Sequence, residues 1–203
     1  MSGAVTRVYV EETARAAFAV ALDWPGWCRR AKNADLALEA LRDYQGRYAE
    51  VVSGDFAVGR LRVVATLPGN ATTDFGAPDA RGPWDDKPLT RAEATRQLAL
   101  VEDCWRYFDR VVANAPPALR RGPRGGGRDR DAVVQHVREA ERAYTSRIGA
   151  RVAPRTPWPE VRAVILDTLR HGSANPKWPT RYAIRRLAWH VTDHAWEVQD
   201  KSE

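Results

Sequence analysis

The chain has 203 residues, 44% of them hydrophobic and 29% charged, the balance of a globular protein rather than a disordered one. No apolar run approaches the ~20 residues needed to span a bilayer, no signal peptide opens the chain, and two distant cysteines without a C-x-x-C pair argue against a disulfide framework. A cytoplasmic protein with no membrane partner is the expectation, and the net charge of +6, carried by arginines interspersed with acids, needs no nucleic acid to explain it.

Taken from the start, Val5 to Glu12 alternates apolar and polar residues and predicts a strand. Thr13-Ala14-Arg15 then reads as a turn and Ala16 to Leu22 as a second strand. Asp23-Trp24-Pro25-Gly26-Trp27 breaks the run with a Pro-Gly turn. Its two tryptophans are either packing residues or, in a sharper reading, substrate-binding residues at the mouth of a site further along the chain. Asn33 or Asp35 caps a helix expected to reach Tyr48, with Leu36, Leu38, Ala40, Leu41 and Tyr44 on its apolar face. The Asp23, Pro25, Gly26 turn followed by Leu36-Ala37-Leu38-Glu39-Ala40-Leu41 resembles the small HicB-like antitoxin domain. The resemblance implies a small α+β domain over residues 1 to 65 with a regulatory or partner-binding ancestry.

Arg60 to Leu67 predicts a further strand. Residues 66 to 88, broken at Pro68-Gly69, Gly76, Pro78 and Gly82-Pro83, read as an irregular connection. Within it Trp84-Asp85-Asp86 is assigned to surface packing, with a cover over the following helices as the alternative.

Four helices follow. Thr90 with Glu93 three residues on forms a capping box, and Ala94, Leu98, Val101, Trp105, Phe108 and Val112 mark the inward line of a helix stopped by Pro116-Pro117. Cys104 beside that line reads as a packed thiol, or else as a soft group near a metal. The arginine- and glycine-rich stretch from Arg120 to Arg130 lacks aromatic residues to stack on bases and is read as a flexible linker. A second helix spans residues 129 to 148, and prolines 154, 157 and 159 turn the chain into a third, residues 159 to 170. His171 closes the third helix, where the helix dipole alone favours a histidine. Thr180 is expected to cap the fourth, which runs to Asp200.

The fourth helix holds the chemistry. His190 and His194 are four residues apart, one turn along one face, so both imidazoles can reach a single ion. Ile184, Leu187, Val191, His194 and Val198 step by 3, 4, 3 and 4, the spacing of a buried seam. His136 sits on the second helix among Val133, Val137, Ala140 and Tyr144, again facing inward. Histidines bonded to core carboxylates would give the same spacing without a metal.

One histidine in a second helix and H-x3-H in a fourth is the pattern of the DinB-like family, which the chain resembles over residues 88 to 202 through His136, His190 and His194. The resemblance implies an antiparallel four-helix bundle over residues 89 to 203. It implies a divalent metal, Zn, Ni or Fe, held by the three histidines with positions left open. The implied activity is a metal-dependent transferase using a low-molecular-weight thiol such as mycothiol or bacillithiol, or a related hydrolase or isomerase. The chain departs from many members in carrying Ala195-Trp196-Glu197 after the last histidine. Glu139, Asp193 and Glu197 are candidates either to accept from the second histidine N–H or to act as general base, Glu197 and Glu139 being taken as the catalytic pair, with a solvated acid on the helix surface as the alternative for all three. Trp105, Tyr144, Trp189 and Trp196 are expected to wall a small-molecule site. The competing class is a non-catalytic, partner-binding module in which the metal is structural or absent. A homodimer is compatible with either.

Overall fold

The computed structural model describes residues 4–122 and 127–202. They divide into two compact units, Met1–Lys87 and Pro88–Glu203.

The first unit is a mixed four-stranded sheet with helices. Strands β1 (Val5–Glu12), β2 (Ala17–Ala21), β3 (Cys28–Ala31) and β4 (Arg60–Pro68) lie in the order β3-β2-β1-β4. β1 pairs antiparallel with β2, Val8 opposite Ala21, and parallel with β4, with a register shift between Val8 and Tyr9. All five residues of β2 are buried, so the alternation that marks a half-exposed strand is absent there. β4 is one of the two edge strands, and it leaves Val63 and Val64 exposed. Gly26 adopts a φ of 97° in the turn closed by Trp27 N–H donating to the Trp24 carbonyl, a conformation that favours glycine. Gly59, at φ 59°, admits no side chain, since a Cβ would fall 1.8 Å from the Ala4 carbonyl oxygen.

Helices α1 (Ala34–Asp43) and α2 (Gln45–Ala49) replace the single helix expected through Tyr48, with the break at Tyr44. Asn33 caps α1 by accepting from Leu36 N–H. Ala37 and Leu41 are the buried face, while Leu36 is exposed. Trp27 packs in this unit's core against Tyr48 and Phe56, its indole N–H donating to the Leu41 carbonyl at 2.9 Å. β3 was not among the expected strands; four residues with two arginines show no apolar period.

Residues 66 to 88, expected as an irregular connection, are irregular from Gly76 onward but begin with regular structure. β4 continues to Pro68, and α3 (Ala71–Phe75) follows with Asn70 and Thr73 forming a capping box. The fully buried Glu11 carboxylate holds this segment, accepting from Thr73 Oγ1, Asp79 N–H and Ala80 N–H. Trp84 packs on Tyr9 at 5.4 Å between ring centroids, so its role is packing within the first unit.

The second unit is helical. α4 (Arg91–Asn114) starts at the Thr90–Glu93 capping box, both reciprocal bonds being present. α5 (Arg130–Arg147), α6 (Trp158–His171) and α7 (Thr180–Ser202) complete it. α7 packs on α4 and α5, and α6 packs on α4 and α5. Leu98, Val101, Phe108, Val133, Val137, Val161, Ile165, Leu169, Ile184 and Leu187 are buried, the apolar stripes expected of these helices. Thr180 does not cap its own helix; its hydroxyl accepts from Ser173 N–H, and Ala183 N–H reaches back to the Pro179 carbonyl instead.

The linker expected at Arg120 to Arg130 is corrected in part. Residues 123 to 126 lie outside the described residues, but their flanks are fastened. Arg120 N–H donates to the Lys201 carbonyl, and Arg121 bonds both Gly127 and Asp129. Among the described residues no helix is long and apolar enough to cross a membrane.

Candidate metal centre

α5 and α7 build the site. Val133 and Val137 seat α5 with His136 between them, and Leu187, Val191 and Val198 seat α7 so that His190 and His194 emerge one turn apart on the same side. The Nε2 atoms of His136 and His190 are 3.2 Å apart. Ring centroids are separated by 5.1 Å for His136–His190, 4.8 Å for His136–His194 and 4.6 Å for His190–His194. One nitrogen from each ring lies within 4.8 Å of one from each of the others.

Electrostatics favours the neutral form of His136 and His190. Burial pushes the His190 pKa well below its ordinary value, helped by His194, His136 and the Arg186 and Arg128 charges. His136 is lowered for the same reasons, burial first and then His194 and Arg128. A neutral imidazole is the ligand form, with a lone pair on one nitrogen.

His194 has its second nitrogen tied. Its Nδ1 lies 2.7 Å from Glu197 Oε2, and Lys201 Nζ lies 2.5 Å from Glu197 Oε1. These bonds to His194 and Lys201 hold the Glu197 carboxyl down at about 2 against the opposing effect of burial. Glu197 is therefore ionised, with both oxygens engaged, and its contact with Nδ1 leaves Nε2 as the His194 nitrogen that can meet a ligand. Of the two roles considered for Glu197, the orienting one matches these bonds.

The donor set fits a divalent metal. With metal–nitrogen bonds of about 2.0–2.1 Å, two nitrogens 3.2 Å apart subtend an angle of about 100° at an ion, close to tetrahedral. Three imidazole nitrogens, one ring backed by a carboxylate, could hold a metal ion.

The other site residues divide. Tyr144 lies 5.8 Å and Trp189 5.9 Å from His190 between ring centroids, at the site. Trp178 extends that wall, 5.1 Å from Tyr144 and 5.2 Å from Tyr182. Sequence reasoning passed over Trp178 as part of a proline-flanked break. Trp105 instead lines a cavity of about 400 Å³ with Trp158, Arg162 and Asp109, which the histidines do not line. Trp196 is 1% exposed and Trp27 fully buried, too enclosed to meet a substrate. Trp24 stands edge-on to Phe56 in the first unit, 4.8 Å between centroids, as a packing residue.

Glu139 is exposed and accepts from Gln135, so it backs no histidine; Asp193 is half-buried. Cys104 is a packed thiol, fully buried, its pKa pushed up to about 12 by burial. His171 is solvent-exposed, its Nδ1 2.9 Å from the Asp167 carbonyl, apart from the cluster. Lys201, the outer partner of Glu197, is a second residue that sequence reasoning missed; it stands four residues beyond Glu197, the spacing of a helical ion pair.

Comparison of the chain with protein-family models, with curated proteins and with solved structures returns no match.

Proposed function

We propose that the second unit is a DinB-like four-helix bundle and a metal-dependent enzyme, most simply a transferase that uses a small thiol. The observation that carries this reading is the convergence of His136, His190 and His194, with two Nε2 atoms 3.2 Å apart and the third ring backed by Glu197. A divalent ion of the Zn, Ni or Fe class held there supplies Lewis acidity, which lowers the pKa of a thiol or water and polarises a substrate carbonyl.

The chain's own groups do the rest. His136, His190 and His194 present three nitrogen donors from two rigid helices, so little reorganisation is needed on binding. Glu197 keeps a proton on Nδ1 of His194 and holds that ring in place. Tyr144, Trp178 and Trp189 form an aromatic wall that excludes water from one side and seats an apolar portion of a substrate.

The test begins with metal analysis of protein purified without a histidine tag. The wild type is expected to retain one divalent ion per chain, and His190→Ala to lose it while remaining folded. Thiol-adduct formation is then compared between the two across a panel of thiols and electrophiles. Equal rates would remove the histidines from catalysis. Turnover with water alone would make the protein a hydrolase, and metal-free wild type with no turnover would favour the partner-binding module.

A further inference from the structure

The rim beside the three histidines is cationic. Lys201 bonds Glu197, which bonds His194, so its ammonium stands two contacts from the centre. It also lines a hollow of about 360 Å³ with Arg120, Arg121 and Gly122. Arg128 lies close enough for its charge to act on both His136 and His190.

Two of these cations, Arg121 and Lys201, are ion-paired, and the other two are not paired with an acid among the described residues. Arg120 donates from its backbone to the Lys201 carbonyl and from its guanidinium to the Asp200 carbonyl, each at 2.9 Å, and both acceptors are uncharged. Arg121 reaches the Gly127 carbonyl at 2.6 Å and Asp129 at 2.8 Å. Arg128 makes no hydrogen bond or ion pair with any described residue. The backbone passes close by, since a Cβ on Gly127 would lie 3.5 Å from Lys201 Nζ. Among the described residues Arg121 and Lys201 face a carboxylate, while Arg120 and Arg128 form no ion pair. Concave cationic surfaces concentrate anions, and a guanidinium with N–H groups to spare takes a carboxylate or phosphate in a forked contact.

We propose that the hollow between Arg120, Arg121 and Lys201 seats an anionic group, a carboxylate or phosphate, of the small molecule on which the three-histidine centre acts. This deepens the reading given under Proposed function and rests on it for the word substrate, but the anion site itself is independent of the metal. The anion and Glu197 share Lys201, so filling the hollow weakens the Lys201–Glu197 contact and is felt at His194.

The experiment is a titration of metal-free protein with succinate and, separately, inorganic phosphate, at constant ionic strength set with chloride, followed by backbone amide NMR. Saturable shifts are expected at Arg120, Arg121 and Lys201, and whichever anion binds more tightly assigns the group. Arg120→Ala with Arg121→Ala should raise Kd at least about ten-fold, the loss of one charge-assisted hydrogen bond or more. Arg62→Ala, on an exposed strand residue of the first unit, should leave Kd unchanged. In turnover, 3-mercaptopropionate should outperform 2-mercaptoethanol, and the double variant should lose that preference through KM with kcat retained. Shifts no different from those of chloride, or equal Kd in the double variant, would overturn the proposal. Absence of metal or turnover, with the anion titration intact, would strike the enzymatic reading alone.

Discussion

Nδ1 of His194 and Oε2 of Glu197 stand 2.7 Å apart, three residues from one another on α7, and the same carboxylate is held from its other oxygen by Lys201. A histidine so fixed has one nitrogen left for a ligand, and its orientation no longer costs entropy on metal binding. Glu197→Gln keeps the shape but removes the charge behind the ring. Such outer partners are worth 10- to 100-fold in metal affinity, so the variant is expected to bind Zn about 10–100-fold more weakly with its fold intact. Competition against a chromophoric chelator measures this. Unchanged affinity would leave Glu197 as an ordinary helix-surface ion pair.

Much of this site is legible in the sequence because helices repeat. The four-residue step from His190 to His194 and the apolar neighbours of His136 assign all three rings to inward faces, and they do converge. The acids were harder to rank. Glu139 and Glu197 each follow a histidine by three residues, and only tertiary surroundings decide that Glu197 turns to its histidine while Glu139 turns to Gln135. The tryptophans were over-assigned for a related reason. An aromatic residue on an inward face is compatible with a ligand wall or with a core, and Trp27 and Trp196 are core. In the first unit the Glu11 clamp was invisible, because a buried glutamate bonding backbone N–H groups some 68 residues away leaves no local pattern.

Glu141 supplies a stability test away from the histidines. It is 2% exposed on α5 and accepts from the Trp158 indole and the Arg162 guanidinium, which itself stacks 3.9 Å from the Trp158 ring. Burial raises the Glu141 pKa against the lowering effect of these partners. Glu141→Ala leaves the indole N–H without this acceptor and Arg162 with only the exposed Asp109, and breaking a buried pair in this way costs about 3–5 kcal/mol. Urea denaturation should show that loss, with Glu141→Gln retaining part of it. A cost below about 1 kcal/mol for the alanine variant would mean water replaces the carboxylate.

The start of α4 offers a smaller effect with a local cause. Thr90 Oγ1 accepts from Glu93 N–H and Glu93 Oε2 accepts from Thr90 N–H, while Arg181 on α7 joins the same carboxylate at 2.9 Å. Thr90→Ala removes one cap acceptor and should cost about 1 kcal/mol. Hydrogen exchange in the first turn of α4 should speed up with little change at its centre. Uniform change along the helix would show that the cap does not act locally.

Cys104 gives a pH dependence whose sign can be worked out. Its thiol is fully buried on α4, and burial raises its pKa from an ordinary 9.0 to about 12. Between those values the unfolded chain has released the proton and the folded chain still holds it. Folding stability therefore falls as pH rises through that window, by at most about 1.4 kcal/mol per pH unit for one proton. Other groups titrate there too, so the informative quantity is the difference between wild type and Cys104→Ala. At pH 8 the wild type should be the more stable, because the variant leaves a small cavity. That advantage should shrink steadily toward pH 11, as only the wild type carries the thiol. Denaturation midpoints across the range read it directly, and a difference constant from pH 8 to 11 would show that the folded protein lets the thiolate form.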